Sequence, residues 1–306
     1  MKAFSRTRSR RAWPILLLLP LLFILVLYVA PVLNLVSISF SEHSLKEGVI
    51  PGFSVGNYAR LMHDSFYFEV LWRTIRLSLL TTLCCAFFGY PIAFYLTRTS
   101  GWRQTIMFIV LLMPLVTSVT VMSYGWLILL GRKGVVNTLL VKLGFFEMPR
   151  QLMYNETVIV VGLVHILVVF MVIAVAASLQ SINPALARAA RSLGASPFTA
   201  FRQITLPLSM PGLRTGALLV FVLSMSAYAT PTVLGGTRVK FLSYLVYQQA
   251  ISLNNWPRGA AMAVILLIAT TAILALASAY GQFRAQRRQS ASETATSTMA
   301  PERAGD

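Results

Sequence analysis

Six stretches of this chain are apolar over about the 20 residues that a helix needs to cross the hydrocarbon core of a bilayer: 13–40, 70–96, 105–130, 157–179, 212–234 and 260–280. Hydrocarbon offers no hydrogen bonds, so a chain crossing it must satisfy its own backbone, and a helix does this within one segment. The expected fold is an all-α membrane protein with six transmembrane helices. Composition agrees, because 57% of the residues are hydrophobic and 11% are charged, whereas a solvated globular surface draws on about 25% charged residues. The first stretch exceeds the core of a secretion signal, and Pro31 follows Ala30 where a cleavable bond would be wanted, so it reads as a retained anchor.

The net charge of +17, from 26 Lys and Arg against 9 Asp and Glu, would point to nucleic acid in a soluble protein. In a membrane protein it points instead to cytoplasmic loops. Lys2, Arg6, Arg8, Arg10 and Arg11 precede the first span, and Arg98 and Arg103 join the second to the third. Arg188, Arg191 and Arg202 join the fourth to the fifth, and Arg284, Arg287 and Arg288 follow the sixth. The opposite connections dilute their basic residues with Glu42, Glu47, Asp64, Glu69, Glu147 and Glu156. Both termini are therefore expected in the cytoplasm, with a lipid membrane and no nucleic acid as the surroundings. A basic N-terminus (1–12) precedes the membrane domain (13–283), and the Ser, Thr, Ala and charges of 284–306 read as a disordered tail. The outer connections, 41–69 and 131–156, carry Gly, Pro and aromatics and are expected to form structured caps or re-entrant pieces that offer a docking surface. Cys84 and Cys85 are adjacent in an apolar run, cannot clip a loop or provide metal-ligand spacing, and read as inert core thiols. No metal or cofactor is expected.

The inner connection 181–211 departs from a simple bundle, since its capping chemistry predicts two short helices. Asn183 can cap a helix with Pro184 at its first position, and Gly194 supplies a left-handed stop. Ser196 caps the next with Pro197 at its start; Phe198, Phe201 and Ile204 then share one face before Pro207, which is expected to end it. That apolar stripe needs cover, either from a groove of a soluble partner or from the inner ends of the spans.

These residues carry a resemblance. The run from Arg188, Ala189 and Ala190 through Gly194 and Ala195 to Ile204, Leu206 and Pro207 resembles the EAA loop of binding-protein-dependent ABC transporter permeases. In that pattern an EAA triplet is followed after three residues by Gly, and after nine more by Ile, any residue, Leu and Pro. Arg188 stands where the family has Glu, which reverses the charge. Ser226 to Gly236 and Gly134 to Leu140 resemble the spermidine/putrescine branch, in particular its first permease subunit, and permeases for ferric iron, phosphonate and other small solutes share much of this text. The resemblance implies an ABC type I importer permease fold and a bacterial inner-membrane location. It also implies a heterodimer with a second permease, two ATP-binding cassette ATPase subunits beneath, and an extracytoplasmic solute-binding protein that delivers a polyamine or another small solute. The loop from Arg188 to Pro207, with Phe198 and Phe201, would enter the ATPase cleft and transmit its closure. The chain would hydrolyse nothing, and it contains no Gly-x4-Gly-Lys-Ser/Thr phosphate loop.

Polar residues inside spans face a bundle interior or water, which makes His165, Tyr124, Ser224, Ser226, Tyr228 and Thr230 candidates for the translocation path. Arg73 and Arg76 share a face near the outer end of the second span and are read either as snorkelling to headgroups or as facing the path. No acid lies inside any span, so selectivity for a cation is expected to reside in the binding protein. Gly212 and Gly216 form a small-x3-small pair that fits a close helix contact. A self-sufficient secondary carrier, the competing class, would show internal repeats and an intramembrane coupling site. An intramembrane enzyme would show a nucleophile and base cluster, and none is legible.

Overall fold

A computed structural model describes residues 12–44, 48–50 and 52–298, so the basic stretch 1–11 and positions 45–47, 51 and 299–306 lie outside the described residues. The order is α1 (Ala12–Ser39), a hairpin of β1 (Glu42–Ser44) and β2 (Gly48–Ile50), α2 (Gly56–His63) and α3 (Ser65–Leu96). Then come α4 (Trp102–Val116), α5 (Val119–Leu130), α6 (Val135–Lys142), α7 (Glu156–Gln180), α8 (Pro184–Ser192) and α9 (Pro197–Ala200). A π-turn, Phe201–Thr205, leads into α10 (Leu206–Ser226), followed by α11 (Ala229–Gly235) and α12 (Leu242–Tyr247); a second π-turn, Gln248–Ser252, precedes α13 (Trp256–Thr298). In the hairpin Glu42 pairs with Ile50 and Ser44 with Gly48.

Among the described residues five helical segments are long and apolar enough to span a membrane: Pro20–Ser39, Ser65–Leu96, Glu156–Gln180, Pro197–Ser226 and Trp256–Ala279. The expected third span, 105–130, is not one rod. It is a pair of helices bent by 101° at Thr117 and Ser118. Pro114 lacks an N–H for the helix ladder, and the run Val116, Thr117, Ser118, Val119, Thr120 and Val121 is poor in helix propensity. The expected fifth span, 212–234, is displaced toward the N-terminus, because α10 already begins at Leu206 and ends at Ser226. Pro231 sets that end: its ring would clash with the carbonyl of Ala227, and this carbonyl instead accepts the Ser243 hydroxyl at 2.6 Å. Pro207 does not terminate a helix as expected: the backbone stays helical from Pro197 to Ser226, and the π-turn Phe201–Thr205 directly before the proline relaxes the ladder where its N–H is missing. Beyond the expected limit at 280, α13 continues to Thr298. The stretch 284–298, expected as part of a disordered tail, is thus helical where described; 282–298 holds neither Gly nor Pro, and Ala, Gln and Arg favour helix up to Gln289, while Ser290–Thr298 is mostly Ser and Thr.

The chain divides into two compact units. One takes the residues up to Phe68 together with Leu245–Ile265; the other takes Glu69–Tyr244 and the residues from Leu266 onward. In the first, Asn57 donates to the carbonyls of Ser39 and Ser41, and the Tyr58 hydroxyl lies 2.7 Å from that of Ser39. Phe40 stacks on Phe53, so the expected cap over 41–69 is ordered where it is described.

In the second unit α7 is apolar all round and buried along its length, which makes it the central element. Met171, fully buried, lies between two helices that approach it through glycines. A Cβ on Gly89 of α3 would come within 2.9 Å of Met171 Cγ, and one on Gly216 of α10 within 2.8 Å of its sulfur. Gly212 faces Ser178 and the Ala174 carbonyl in the same seam, so the small-x3-small pair is the α7–α10 contact. Arg73 and Arg76 do not simply snorkel: Arg73 pairs with Glu69 and Glu156, and Arg76 with Glu156. The cap over 131–156 is organised by buried Asn137, which donates to the Gly131 and Arg150 carbonyls at 2.9 and 3.0 Å and accepts the Arg150 N–H at 3.1 Å.

Candidate functional site

The segment 181–211 forms an elbow made by its caps. The Asn183 side chain accepts the Ala185 N–H at 2.9 Å and starts α8 with Pro184 at the first position. Gly194 closes it with φ +91°, and no atom lies within 4 Å of a Cβ built there, so the backbone conformation, and not space, requires glycine. The Ala195 N–H reaches back to the Ala190 carbonyl at 3.0 Å. Ser196 then accepts the Thr199 N–H at 3.1 Å and begins α9.

The apolar stripe divides. The Phe201 ring packs edge-on against Tyr90 and Phe94 of α3, with centroids at 5.9 and 5.3 Å. The Arg98 guanidinium caps Phe94 from 4.0 Å, a cation–π contact. The Tyr90 hydroxyl lies 2.7 Å from that of Ser209, which also donates to the Leu206 carbonyl. Ile204, Leu206 and Pro207 are half-buried, as are Ala190 and Ala195. Phe198, by contrast, is 70% exposed and Leu193 89%, with Leu186, Arg188 and Ala189 exposed beside them. No residue of α8 is buried. The elbow therefore has one side bolted to α3 and one apolar, basic side presented outward. Tyr90, Phe94, Arg98 and Ser209 were not singled out from the sequence, although Tyr90, Phe94 and Arg98 follow the four-residue spacing of one helix face.

The path candidates divide as well. Thr230 is buried and accepts from the Ser123 hydroxyl at 3.3 Å, while Ser224 is fully buried and its hydroxyl has no hydrogen-bond partner among the described residues. His165 lies on an exposed face of α7, where its Nδ1 accepts the Trp126 indole N–H at 3.2 Å with the rings 81° apart. Tyr124 and Ser226 are exposed and Tyr228 is half-buried. The geometry thus assembles a Trp126–His165 pair and a Ser123–Thr230 pair; only His165 and Thr230 of these four were sequence candidates, since an indole reads first as apolar bulk.

No family model matches the chain. Over 245 residues it is 34% identical to the spermidine/putrescine transport system permease protein PotB of Escherichia coli strain K12, covering 80% of this chain and 89% of that protein. The PotB of Haemophilus influenzae is 30% identical over 215 residues, covering 70% and 75%. Among solved structures, a bacterial ABC transporter involved in the import of the acidic polysaccharide alginate superposes with TM-score 0.72 at 16% identity, covering 90% of this chain and 96% of that one. At that identity the likeness establishes the fold.

Proposed function

The chain belongs to the family of permease subunits of spermidine/putrescine-type ABC transport systems, and we propose from that membership that it forms part of the membrane path for a polyamine. In this reading it pairs with a second permease above two ATP-binding cassette ATPase subunits, and an extracytoplasmic binding protein delivers the solute. ATP hydrolysis belongs to the ATPase chains. The membrane domain is 13–283 in the bacterial inner membrane, with both termini cytoplasmic, so the elbow at 181–211 faces the ATPase.

The observation that carries this reading is the two-sided elbow. Its outward face carries Leu186 and Leu193, seven residues apart on α8 and its C-cap, with Arg188 and Arg191 between them and Phe198 on α9, which suits α8 to a partner groove. Phe201, on its other side, joins it to α3, so a displacement of the docked helix is passed to a span. Gly194 and the residues from Arg188 to Pro207 act as the coupling element, and His165 with Trp126 and Tyr124 forms the aromatic part of the path. An aromatic face can attract a desolvated ammonium without an intramembrane carboxylate, which fits a polyamine in a chain where the two acids of the spans, Glu69 and Glu156, lie near helix starts and are paired with Arg73 and Arg76.

The test is to purify the protein with the subunits encoded beside it and to measure ATP-dependent spermidine and putrescine uptake in vesicles. An ATPase that co-purifies, and a binding protein whose melting temperature rises with polyamines, are the expected results. A binding protein stabilised by ferric iron or a phosphonate and indifferent to polyamines would overturn the substrate assignment.

A further inference from the structure

In the unit that contains α1 and α2, a cleft of about 560 Å³ opens between the last turn of α2 and the first turn of α13. Arg60 and His63 line it from α2, Arg258 from α13, and Asp64 and Tyr67 from the turn into α3. Two guanidiniums face a single carboxylate, and that carboxylate already accepts the Phe66 N–H at 3.0 Å. Among the described residues neither Arg60 nor Arg258 has an ion-pair partner. Asn255 caps α13 by accepting the Arg258 N–H at 3.2 Å, which puts Arg258 in the first turn of a long helix, at its positive end. The cleft is built for an anion, and a cationic solute would be repelled from it.

The surroundings say which kind of anion. Phe53 and Met62 are 82% and 85% exposed, and Phe68 is 70% exposed, all within a few residues of the cationic lining. Water is poor cover for so much apolar surface, whereas the headgroup boundary of a bilayer covers aromatic rings and leaves cations level with phosphates. The hydrogen bonds from Asn57 and Tyr58 to the last residues of α1 hold α2 at the end of a membrane-length helix. We propose that this cleft binds the phosphate of an outer-leaflet phospholipid, with Arg60 and Arg258 as the ion-pairing groups and His63 and Tyr67 as hydrogen-bond donors. The proposal rests on the topology of the preceding section, which puts this end of α1 outside.

Native mass spectrometry of the purified transporter tests it, with lipid retention read independently of transport. Phosphatidylglycerol should be retained by the wild type, and retention should weaken at least about tenfold in the double variant Arg60→Ala, Arg258→Ala; Arg60→Lys, Arg258→Lys should keep it, which separates charge loss from misfolding. A galactolipid without phosphate should not be retained. Equal retention by the alanine variant, or equal retention of the galactolipid, would overturn the proposal. So would inorganic phosphate stabilising the protein where phosphatidylglycerol is not held. A variant that holds its lipid but loses affinity for the binding protein would assign the cleft to an acidic protein surface instead. Absence of polyamine uptake by the wild-type transporter, with phosphatidylglycerol still retained by the wild type and lost in the alanine variant, would count against the function proposed above and leave this site standing.

Discussion

The Phe201 ring stands edge-on to that of Phe94, 5.3 Å between centroids and 83° between planes, and so fastens the turn after α9 to the last turns of α3. Phe198, three residues earlier, makes no such contact and is exposed. The two side chains are therefore expected to fail differently. Phe201→Ala should leave the ATPase co-purifying while uptake falls at least about fivefold, because it removes the ring contacts with both Tyr90 and Phe94 and each is worth about 1 kcal/mol beyond its burial. Phe198→Asp should abolish co-purification. Equal loss of ATPase binding in both variants would reject the division of labour.

At Gly194 a side chain must adopt φ +91°, a left-handed conformation that costs an ordinary residue about 1–2 kcal/mol. Gly194→Asp is expected to lose both ATPase association and uptake; Gly194→Asn, which tolerates that region better, should retain more of each. Unaltered uptake in the Asp variant would remove the elbow from the coupling mechanism. Arg188→Glu, restoring the family residue on an exposed position, is expected to preserve activity, and complete loss would show that a partner acid matches Arg188.

Gly216 is a packing position. Gly216→Val drives atoms into Met171, and overpacking of this kind costs about 1–3 kcal/mol, so thermal unfolding of the purified protein should shift down by several degrees. Gly125, which has nothing within 4 Å of its Cβ position, is the control. Gly125→Ala should be neutral or slightly stabilising, and a matching loss there would refute the close-contact explanation.

Trp126→Phe keeps a ring opposite His165 while removing the N–H that His165 accepts. If this pair lines the path, the variant should raise the apparent KM for polyamine uptake several-fold with the ATPase rate in the presence of the binding protein little changed. Unchanged uptake kinetics would remove the pair from the path.

What was legible in the sequence had a local cause. Asn183, Pro184, Gly194 and Ser196 act within four residues of themselves, and the structure has the caps and the left-handed glycine that these residue types dictate. The Gly212–Gly216 pair was legible as a motif, but its partner was not, because Met171 belongs to another helix. The misplaced ends of the fifth span have the same origin. Pro231 could be read as a breaker, yet whether the chain stops there depends on Ser243 being available for the Ala227 carbonyl. Likewise the three-residue stripe of Phe198, Phe201 and Ile204 was visible, while its separation into a bound and a free side follows from Tyr90 and Phe94 on α3.

The bend at Thr117 and Ser118 carries a requirement of its own. Two helices end there inside what hydropathy alone assigns to one continuous crossing, and the Ser118 side chain does not cap α5. The terminal carbonyls of one helix and the terminal amides of the next leave the regular ladder together, and fatty acyl chains can serve neither. This corner must therefore turn toward water or another polypeptide. A corner of this kind presents main-chain dipoles to whatever covers it, and such dipoles do not depend on which side chains the spans contain.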